Sequence, residues 1–443
     1  MEITRIFHPV GQGGFYTESF DDQHMVVYDC GSESEKKLQN YLNDCFREAP
    51  KQTIDAVFLS HLHSDHINGL QELRNRTNVK KIFLPLLTSN KIVEAILYNK
   101  ANFSYYENKR ANEIIQSLLS ENTSDTRLIE VEEFRANTIS DGDTYDIDNK
   151  NMSIRRIASG TRITLELPPV LTSNNTYLKW VYIPFNIELP EPRVNRSYVD
   201  KITNETVREE VLSIATNIMR IYETYHNQRD ILTKQLIKLI NSKDYDDYLP
   251  IDREYIDEFY KSKRDGVYLF KKVYSALFSN IIDNSQSMPV FSGLLKENLC
   301  SLEMQIKSNI LCTYCSHCHD YFSIHHCMVH SYLCEDKIPC NFLYTGDYEA
   351  QNINFFKCLK DFYENYRVWD TLCGLQIPHH GSRKNYNTGL YQDKCFAIAS
   401  VGVNNRHKHP NIDALINITN QGCCPNVVTE DINTLKYQHF NIK

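Results

Sequence analysis

The sequence predicts an α/β layered fold, and three observations carry the prediction. Strand-like and helix-like segments alternate from Ile3 to Leu59. A short apolar run, Ile54-Asp55-Ala56-Val57-Phe58-Leu59, has the character of a buried strand and stops at polar Ser60-His61. Strand and helix patterns return near Leu299, beyond a long helical block.

Taken in order, Ile3 to Phe7 reads as a strand, followed by a turn rich in glycine at Gly11, Gly13 and Gly14. Met25 to Tyr28 is a second strand, closed by Asp29-Cys30-Gly31. Leu38, Tyr41, Leu42, Cys45 and Phe46 recur at helical spacing, and Ile54 to Leu59 is the next strand. After a strand at Lys81 to Pro85, the pattern predicts helix from Ile92 to Leu119. From Thr138 to Ile187 the chain reads as β-rich, with Ile163 to Leu167 alternating and Trp180 to Ile183 continuously apolar.

A helical block follows. Thr206-x-x-Glu209 fits a capping box, and Val207, Val211, Ile214, Ile218, Ile221 and Tyr225 mark one helix face. Leu232, Leu236, Leu239 and Ile240 suggest a second helix. These residues predict an inserted helical subdomain over 195–290, between an α/β first half at 1–190 and a second half at 295–443.

Composition sets the class. The 443 residues are 42% hydrophobic and 23% charged, a globular balance that excludes wholesale disorder. No apolar run reaches the ~18 residues that cross a bilayer. The N-terminus lacks a basic region followed by an apolar core, so a cytoplasmic location without membrane attachment is expected. A net charge of -8 argues against coating nucleic acid through bulk positive charge, but it allows a local basic site.

Seven of the 14 cysteines, Cys300, Cys312, Cys315, Cys318, Cys327, Cys334 and Cys340, fall in one short stretch, with His317, His319, His325, His326 and His330 among them. In a reducing compartment these are thiols or metal ligands rather than disulfides. Over 309–340 the segment reads as a long hairpin extension with little core of its own. One reading is a structural zinc held by Cys312 and Cys315 with two of Cys318, Cys327 and Cys334, or a nearby histidine. The other is a set of reduced, buried cysteines.

The strongest feature is Ser60-His61-Leu62-His63-Ser64-Asp65-His66, directly after a buried strand. Imidazole nitrogen and carboxylate oxygen suit zinc, and also manganese or iron. In an extended segment His61 and His63 project to one side and can share an ion. Asp65 and His66 follow a bend toward a helix and can face a neighbouring ion.

This HxHxDH pattern resembles the metallo-β-lactamase fold. Val10-Gly11-Gln12-Gly13, Tyr28-Asp29-Cys30-Gly31, Tyr344-Thr345-Gly346-Asp347, Ile377-Pro378-His379-His380-Gly381-Ser382 and Ser400-Val401-Gly402 through Asn405-Arg406-His407-Lys408-His409-Pro410 resemble, in the same order, motifs of ComEC-type competence proteins. The resemblance implies an αβ/βα sandwich with a two-metal site, the helical block and the Cys-rich hairpin being additions to it. It implies that His61 and His63 hold one zinc or manganese ion, that Asp65, His66 and His380 hold the other, and that Asp347 bridges them. Asp65, His379 and His409 are then the residues closest to the chemistry, His409 as a ligand or as a proton donor to the leaving group. The third ligand motif departs from the wider superfamily. Asn298-Leu299-Cys300-Ser301-Leu302 fits the ComEC-like version, and a rival alignment uses His326, Cys327 or His330.

Two nearby divalent ions lower the pKa of a bridging water and clamp a scissile phosphoryl or carbonyl group. Arg383 and Lys384 follow the His380 loop, and Arg406 and Lys408 flank His409. Positive charge on these loops of an acidic protein favours an anion such as a phosphodiester, nucleic acid included. The expected function is therefore a binuclear metal-dependent phosphodiesterase or nuclease. The alternative is a non-hydrolytic subunit of a multiprotein complex that docks through the helical insertion.

Overall fold

The structure, a computed structural model, describes residues 1–21, 23–47, 51–120, 126–134, 143–148, 154–171, 177–242, 267–278, 287–295, 338, 340–391, 395–405 and 407–441. Asn298, Arg406, and the Cys-rich segment apart from Ile338 and Cys340 lie outside the described residues, and with them Cys312, Cys315, Cys318, Cys327 and the third-ligand alternatives.

The chain opens with β1 (Glu2–Phe7), β2 (Phe15–Phe20), β3 (His24–Cys30) and α1 (Glu35–Cys45). The short strands β4 (Thr53–Ile54) and β5 (Ala56–Phe58) lead to α2 (Ser64–Ile67) and α3 (Leu70–Arg76). Then come β6 (Asn78–Val79), β7 (Lys81–Pro85), α4 (Ser89–Asn102), α5 (Tyr105–Leu119), β8 (Arg127–Val131), β9 (Thr144–Asp146) and β10 (Arg156–Ile157). A long hairpin, β11 (Arg162–Leu171) and β12 (Tyr177–Pro184), precedes the helices α6 (Arg196–Val199), α7 (Glu205–Tyr225), α8 (Arg229–Ile240) and α9 (Val267–Phe278). The rest comprises β13 (Val290–Gly293), β14 (Phe342–Tyr344), α10 (Ile353–Asn365), β15 (Gly374–Gln376), β16 (Phe396–Ser400), α11 (Ile412–Asn420), β17 (Cys424–Val428) and β18 (Lys436–Asn441).

Two eight-stranded sheets result, in the orders β10-β8-β7-β5-β3-β2-β1-β18 and β17-β16-β15-β14-β13-β12-β11-β9. In the first, β3, β5, β7, β8 and β10 run parallel. In the second, β14 to β17 do. The parallel strands β5, β7, β15 and β16 are buried along their whole length, because such strands are covered on both faces. Phe7, Tyr16, Phe58 and Phe83 of the first sheet meet Leu165, Trp180, Tyr182, Phe342 and Ile398 of the second in one core between the sheets. The outer face of the second sheet packs under α10 and α11 through Leu359, Phe362, Tyr363 and Ile418. The outer face of the first packs under α1, α3, α4 and α5. The result is helix, sheet, sheet, helix: the αβ/βα sandwich that the fold class predicts.

Helical spacing from Ile92 to Leu119 is realised as two helices rather than one. Ser104 and Glu107 form a reciprocal capping box that starts α5 anew after α4 ends. Similarly, the N-cap of α7 lies two residues before the predicted Thr206. Asn204 accepts a hydrogen bond from Val207 N at 3.0 Å and so takes the N-cap. Val207, Val211, Ile214, Ile218, Leu232, Leu236, Phe270 and Val273 of α7 to α9 lie in the same buried cluster as Ile92, Ile96 and Ile115 of α4 and α5. With the sheet on one side and these helices on the other, α4 buries eleven of its 14 residues, the pattern of a helix packed all round.

Candidate metal centre

Parallel strands in the two sheets end at one edge of the sandwich, and the loops leaving them carry every histidine of the predicted site. Open α/β sheets place their ligand sites at this carboxyl edge. His61 to His66 follow β5, Asp347 follows β14, His379 and His380 follow β15, and His409 lies in the segment after β16.

Asp29, at the end of β3, organises the first loop. Its Oδ1 accepts from Ser60 N at 2.7 Å, and its Oδ2 accepts from Ser60 Oγ and from His66 Nδ1, both at 2.8 Å. The backbone of Gly31 passes so close that a Cβ there would lie 2.4 Å from Asp65 O, which is why the Asp29-Cys30-Gly31 turn ends in glycine. Below the loop, Asn99 of α4 accepts from Ser64 N at 2.9 Å and donates to Leu62 O at 3.0 Å. His63 stacks on Tyr98 with centroids 3.5 Å apart and rings at 4°, and its Nε2 lies 3.4 Å from Glu94 Oε1.

The Asp347 loop is held from the second sheet. Gln376 Oε1 accepts from Thr345 N at 3.1 Å and Gly346 N at 3.0 Å, and Ser287 Oγ accepts from Asp347 N at 2.9 Å. Gly346 has φ +55, and a Cβ there would meet Ser60 Cβ at 2.6 Å, so only glycine lets the two loops touch. His379 and His380 both have positive φ, 46° and 55°. For non-glycine residues this costs about 1–3 kcal/mol each, and it turns both rings toward Asp347.

Asp347 is the centre of the arrangement. Its Oδ1 lies 3.2 Å from His66 Nε2 and 3.6 Å from His380 Nε2, and its Oδ2 lies 3.8 Å from both His61 Nε2 and His379 Nε2. Asp65 Oδ2 is 3.5 Å from His380 Nε2. At this site two groups of donor atoms have metal-ligand spacing: His61, His66 and Asp347; and Asp65, His66 and His380. His63 does not fall in either group, but its ring adjoins that of His61 at 4.3 Å.

The distal nitrogens are already committed. His66 Nδ1 is bound to Asp29, His380 Nδ1 donates to Ser400 O at 2.7 Å, and His61 Nδ1 meets Ser60 Oγ at 2.9 Å and Ser287 Oγ at 3.1 Å. That leaves the Nε2 atoms for a ligand, the arrangement typical of metal-binding histidines. His61 Nε2, His66 Nε2, His380 Nε2 and Asp347 Oδ1 are buried and, among the described residues, have no hydrogen-bond partner. Buried polar atoms are rarely left so, and a cation between them would satisfy all four. The residues therefore fit divalent metal.

Electrostatics sharpen the contrast between these groups. Burial works against charge on His66, yet Asp347, Asp29 and Asp65 hold it well above the usual imidazole value. Burial also works against Asp347, yet His379, His66 and His380 hold its carboxyl well below the usual range. Burial, with His66 and His63 nearby, drives His61 well down. Burial pushes His379 down to about 4, and burial together with His380 and His379 pushes His409 down to about 3.

His409 is half-buried at the rim, its ring 5.5 Å from that of His379. Gln12 Oε1 accepts from Gly402 N at 3.5 Å, which turns Gln12 Nε2 to His409 Nδ1, also at 3.5 Å. A Gln12 amide that donates to His409 Nδ1 requires the His409 proton on Nε2. Arg383, Lys384 and Lys408 are exposed. The loops that carry them adjoin, since Asn411 N donates to Gly381 O at 2.9 Å.

Sequence reasoning passed over Asp29, Ser287, Gln376, Glu94 and Asn99. Asp29 and Gln12 stand inside the Tyr28-Asp29-Cys30-Gly31 and Val10-Gly11-Gln12-Gly13 motifs. Glu94 and Asn99 stand as polar residues beside the apolar Ile92, Val93, Ala95, Ile96 and Leu97 of α4. Ser287 and Gln376 carried no local signal.

Residues 18–92 match the family model "Metallo-beta-lactamase superfamily". The anti-Pycsar protein Apyc1 of Bacillus phage BSP38 is 31% identical over 91 residues, covering 19% of this chain and 33% of that protein. The chain thus aligns with about a third of that relative's length. Among the described residues, no helix is long and apolar enough to cross a membrane. Residues 18–92 carry the metallo-β-lactamase superfamily match, the architecture is that superfamily's αβ/βα sandwich, and the superfamily consists generally of hydrolytic metalloenzymes.

Proposed function

We propose that the protein is a phosphodiesterase or nuclease that works with two divalent cations, zinc or manganese. The observation that carries this reading is the convergence of four buried donor atoms without hydrogen-bond partners, His61 Nε2, His66 Nε2, His380 Nε2 and Asp347 Oδ1, at the carboxyl edge of both sheets. His61, His63 and Asp347 would hold one ion, and Asp65, His66, His380 and Asp347 the other. Bound there, such ions supply charge that lowers the pKa of water and draws in a phosphoryl oxygen.

The chain's own residues do the rest. Asp29, Ser400 O and the Ser60 and Ser287 hydroxyls fix the tautomers of His66, His380 and His61. His409, with its proton on Nε2, is placed to donate a hydrogen bond to an oxygen of the substrate at the rim. Arg383, Lys384 and Lys408, together with Arg406, favour an anion over a neutral ester. The ComEC-type motifs support a phosphodiester in the same way. The helical unit over 195–290 is proposed to choose the natural target or partner.

Metal content of the purified protein and turnover of a generic aryl phosphodiester test the reading together. Two ions per chain with metal-dependent turnover are expected. Absence of both, with a stably co-purifying protein, would replace it with the accessory-subunit reading. Because the partial relative is named an anti-Pycsar protein, relief of Pycsar in cells that express this chain is a further assay of the target.

A further inference from the structure

Helix α9, in the segment between the two halves of the sandwich, reaches the candidate metal centre through Tyr274 by way of Glu94. Glu94 of α4 is buried, with 1% of its surface exposed. Its Oε1 is shared between His63 Nε2 at 3.4 Å and Tyr274 Oη at 3.0 Å. Tyr274 belongs to α9 and is itself buried. Its ring also packs edge-on against Tyr98, at 5.8 Å and 74°, and Tyr98 is the residue on which His63 stacks. The helix α9 therefore touches both groups that fix the His63 ring, one through a hydrogen bond and one through an aromatic edge. A second contact holds the same two helices in register: Lys100 Nζ of α4 lies 5.3 Å from the centre of the Phe270 ring of α9.

We propose that Tyr274 is a positioning residue for the metal centre, acting through Glu94 on His63. The proposal rests on the reading of His63 as a metal ligand. A carboxylate can only accept, so Glu94 keeps the His63 proton on Nε2 and leaves the Nδ1 lone pair as the one the ring offers. The Tyr274 hydroxyl donates to the same oxygen and fixes the carboxylate's orientation. Glu94 Oε2, by contrast, has no hydrogen-bond partner among the described residues, so the carboxylate is anchored through Oε1 alone. His63 adjoins His61 but stands apart from the two tightest donor groups. Its orientation is thus the adjustable part of the first site, and the inserted helix sets it.

The test is zinc affinity by chelator competition, with the absorption spectrum of the cobalt-substituted protein as a second readout. The proteins are the full-length wild type, Glu94→Gln, Glu94→Asp and Tyr274→Phe. Glu94→Gln is expected to weaken the first site by roughly ten- to a hundredfold, the usual effect of losing a carboxylate behind a ligating histidine. Glu94→Asp should recover part of that loss. Tyr274→Phe keeps the ring packing and removes only the hydroxyl. It should weaken the same site by about three- to tenfold and shift the cobalt spectrum in the same direction as Glu94→Gln.

Zinc affinities within twofold of wild type for both Glu94→Gln and Tyr274→Phe, with unchanged cobalt spectra, would overturn the proposal even if metal-free thermal stability fell. If Glu94→Gln does not fold, Tyr274→Phe alone decides. A wild type that binds zinc as expected and responds to these variants but turns over no phosphodiester upholds the positioning role and rejects the phosphodiesterase reading. A wild type that binds no zinc rejects both.

Discussion

Asp347 faces four imidazoles with two oxygens: His66 and His380 on Oδ1, and His61 and His379 on Oδ2. Its two oxygens thus lie beside members of both donor groups. Asp347→Asn keeps the shape but removes the charge between the two proposed cations and replaces one acceptor with an amide donor. Hydrolysis of an aryl phosphodiester should fall by at least roughly a hundredfold, and metal content should fall with it. Activity within a few-fold of wild type would mean that Asp347 is not a bridging ligand. At this scale the candidate ligands were readable because their spacing is local. Three histidines and an aspartate in one heptapeptide need no tertiary information, and Thr345-Gly346-Asp347 and His379-His380-Gly381 stood out as compact motifs. The groups behind them were not readable. Ser287 reaches His61 across 226 residues of chain and Gln376 reaches Gly346 across 30, and a lone Ser or Gln signals nothing in sequence.

At the scale of elements, strand ends and helix starts decide what the periodicity leaves open. Hydrophobic spacing predicts helix through Phe103 and Ser104 because it registers only the buried face, whereas the break is made by a polar capping box. A comparable polar device ties β3 to the start of β5. His24 Nδ1 donates to Asp55 Oδ2 at 3.2 Å, Lys80 Nζ donates to Asp55 Oδ1 at 2.6 Å, and Met25 N donates to Asp55 Oδ2 at 3.0 Å. The hydrogen bond to Asp55 raises His24 above its usual value, with Asp55 and Asp148 adding to that and burial and Lys80 opposing it. Burial would raise Asp55, but His24 and Lys80 hold it below the usual carboxyl value. The signs give a two-sided window. The His24 contribution is complete below about pH 6.5 and is lost as pH rises through its raised value. The Asp55 contribution is present above about pH 4 and is lost as pH falls through its lowered value. His24→Gln should therefore destabilise the protein at pH 6 and become nearly neutral well above the raised value. Urea midpoints of both proteins against pH check this, and a difference that does not change with pH would contradict it.

For the whole molecule, the question is what holds two sheets together around a site that spans both. An ionic knot lies inside the sandwich. Arg5 Nε of β1 donates to Glu18 Oε1 of β2 at 2.7 Å, and Glu18 also accepts from Tyr182 Oη at 2.7 Å, Ser292 Oγ at 2.7 Å and Tyr344 Oη at 3.0 Å, all from the opposite sheet. Arg5 returns the link through Nη2 to Cys340 O at 3.0 Å. Glu18→Gln would leave a buried guanidinium without its counter-charge and should cost about 3–5 kcal/mol in urea denaturation. A loss under about 1 kcal/mol would mean that the apolar core alone aligns the sheets. None of this was readable in sequence, since Glu18 stands between Thr17 and Ser19 and Arg5 between Thr4 and Ile6, the setting of solvent-facing strand residues. The last expectation concerns the protein's field. Its net charge is -8, yet Arg383, Lys384 and Lys408 stand exposed on the two adjoining loops at the site. A polyanion that runs across those loops meets all three charges, whereas a small aryl phosphodiester meets mainly the centre. Replacing Arg383 and Lys384 with Gln and Lys408 with Asn, which tolerates its positive φ, should raise KM for single-stranded nucleic acid much more than for the small ester. The wild type should lose affinity for the polyanion as salt rises. The triple variant should show a shallower log–log slope, by about 0.7 for each phosphate of a single strand that is no longer neutralised. Parallel salt slopes would remove nucleic acid from consideration and leave a compact phosphodiester, such as a cyclic nucleotide, as the better substrate class.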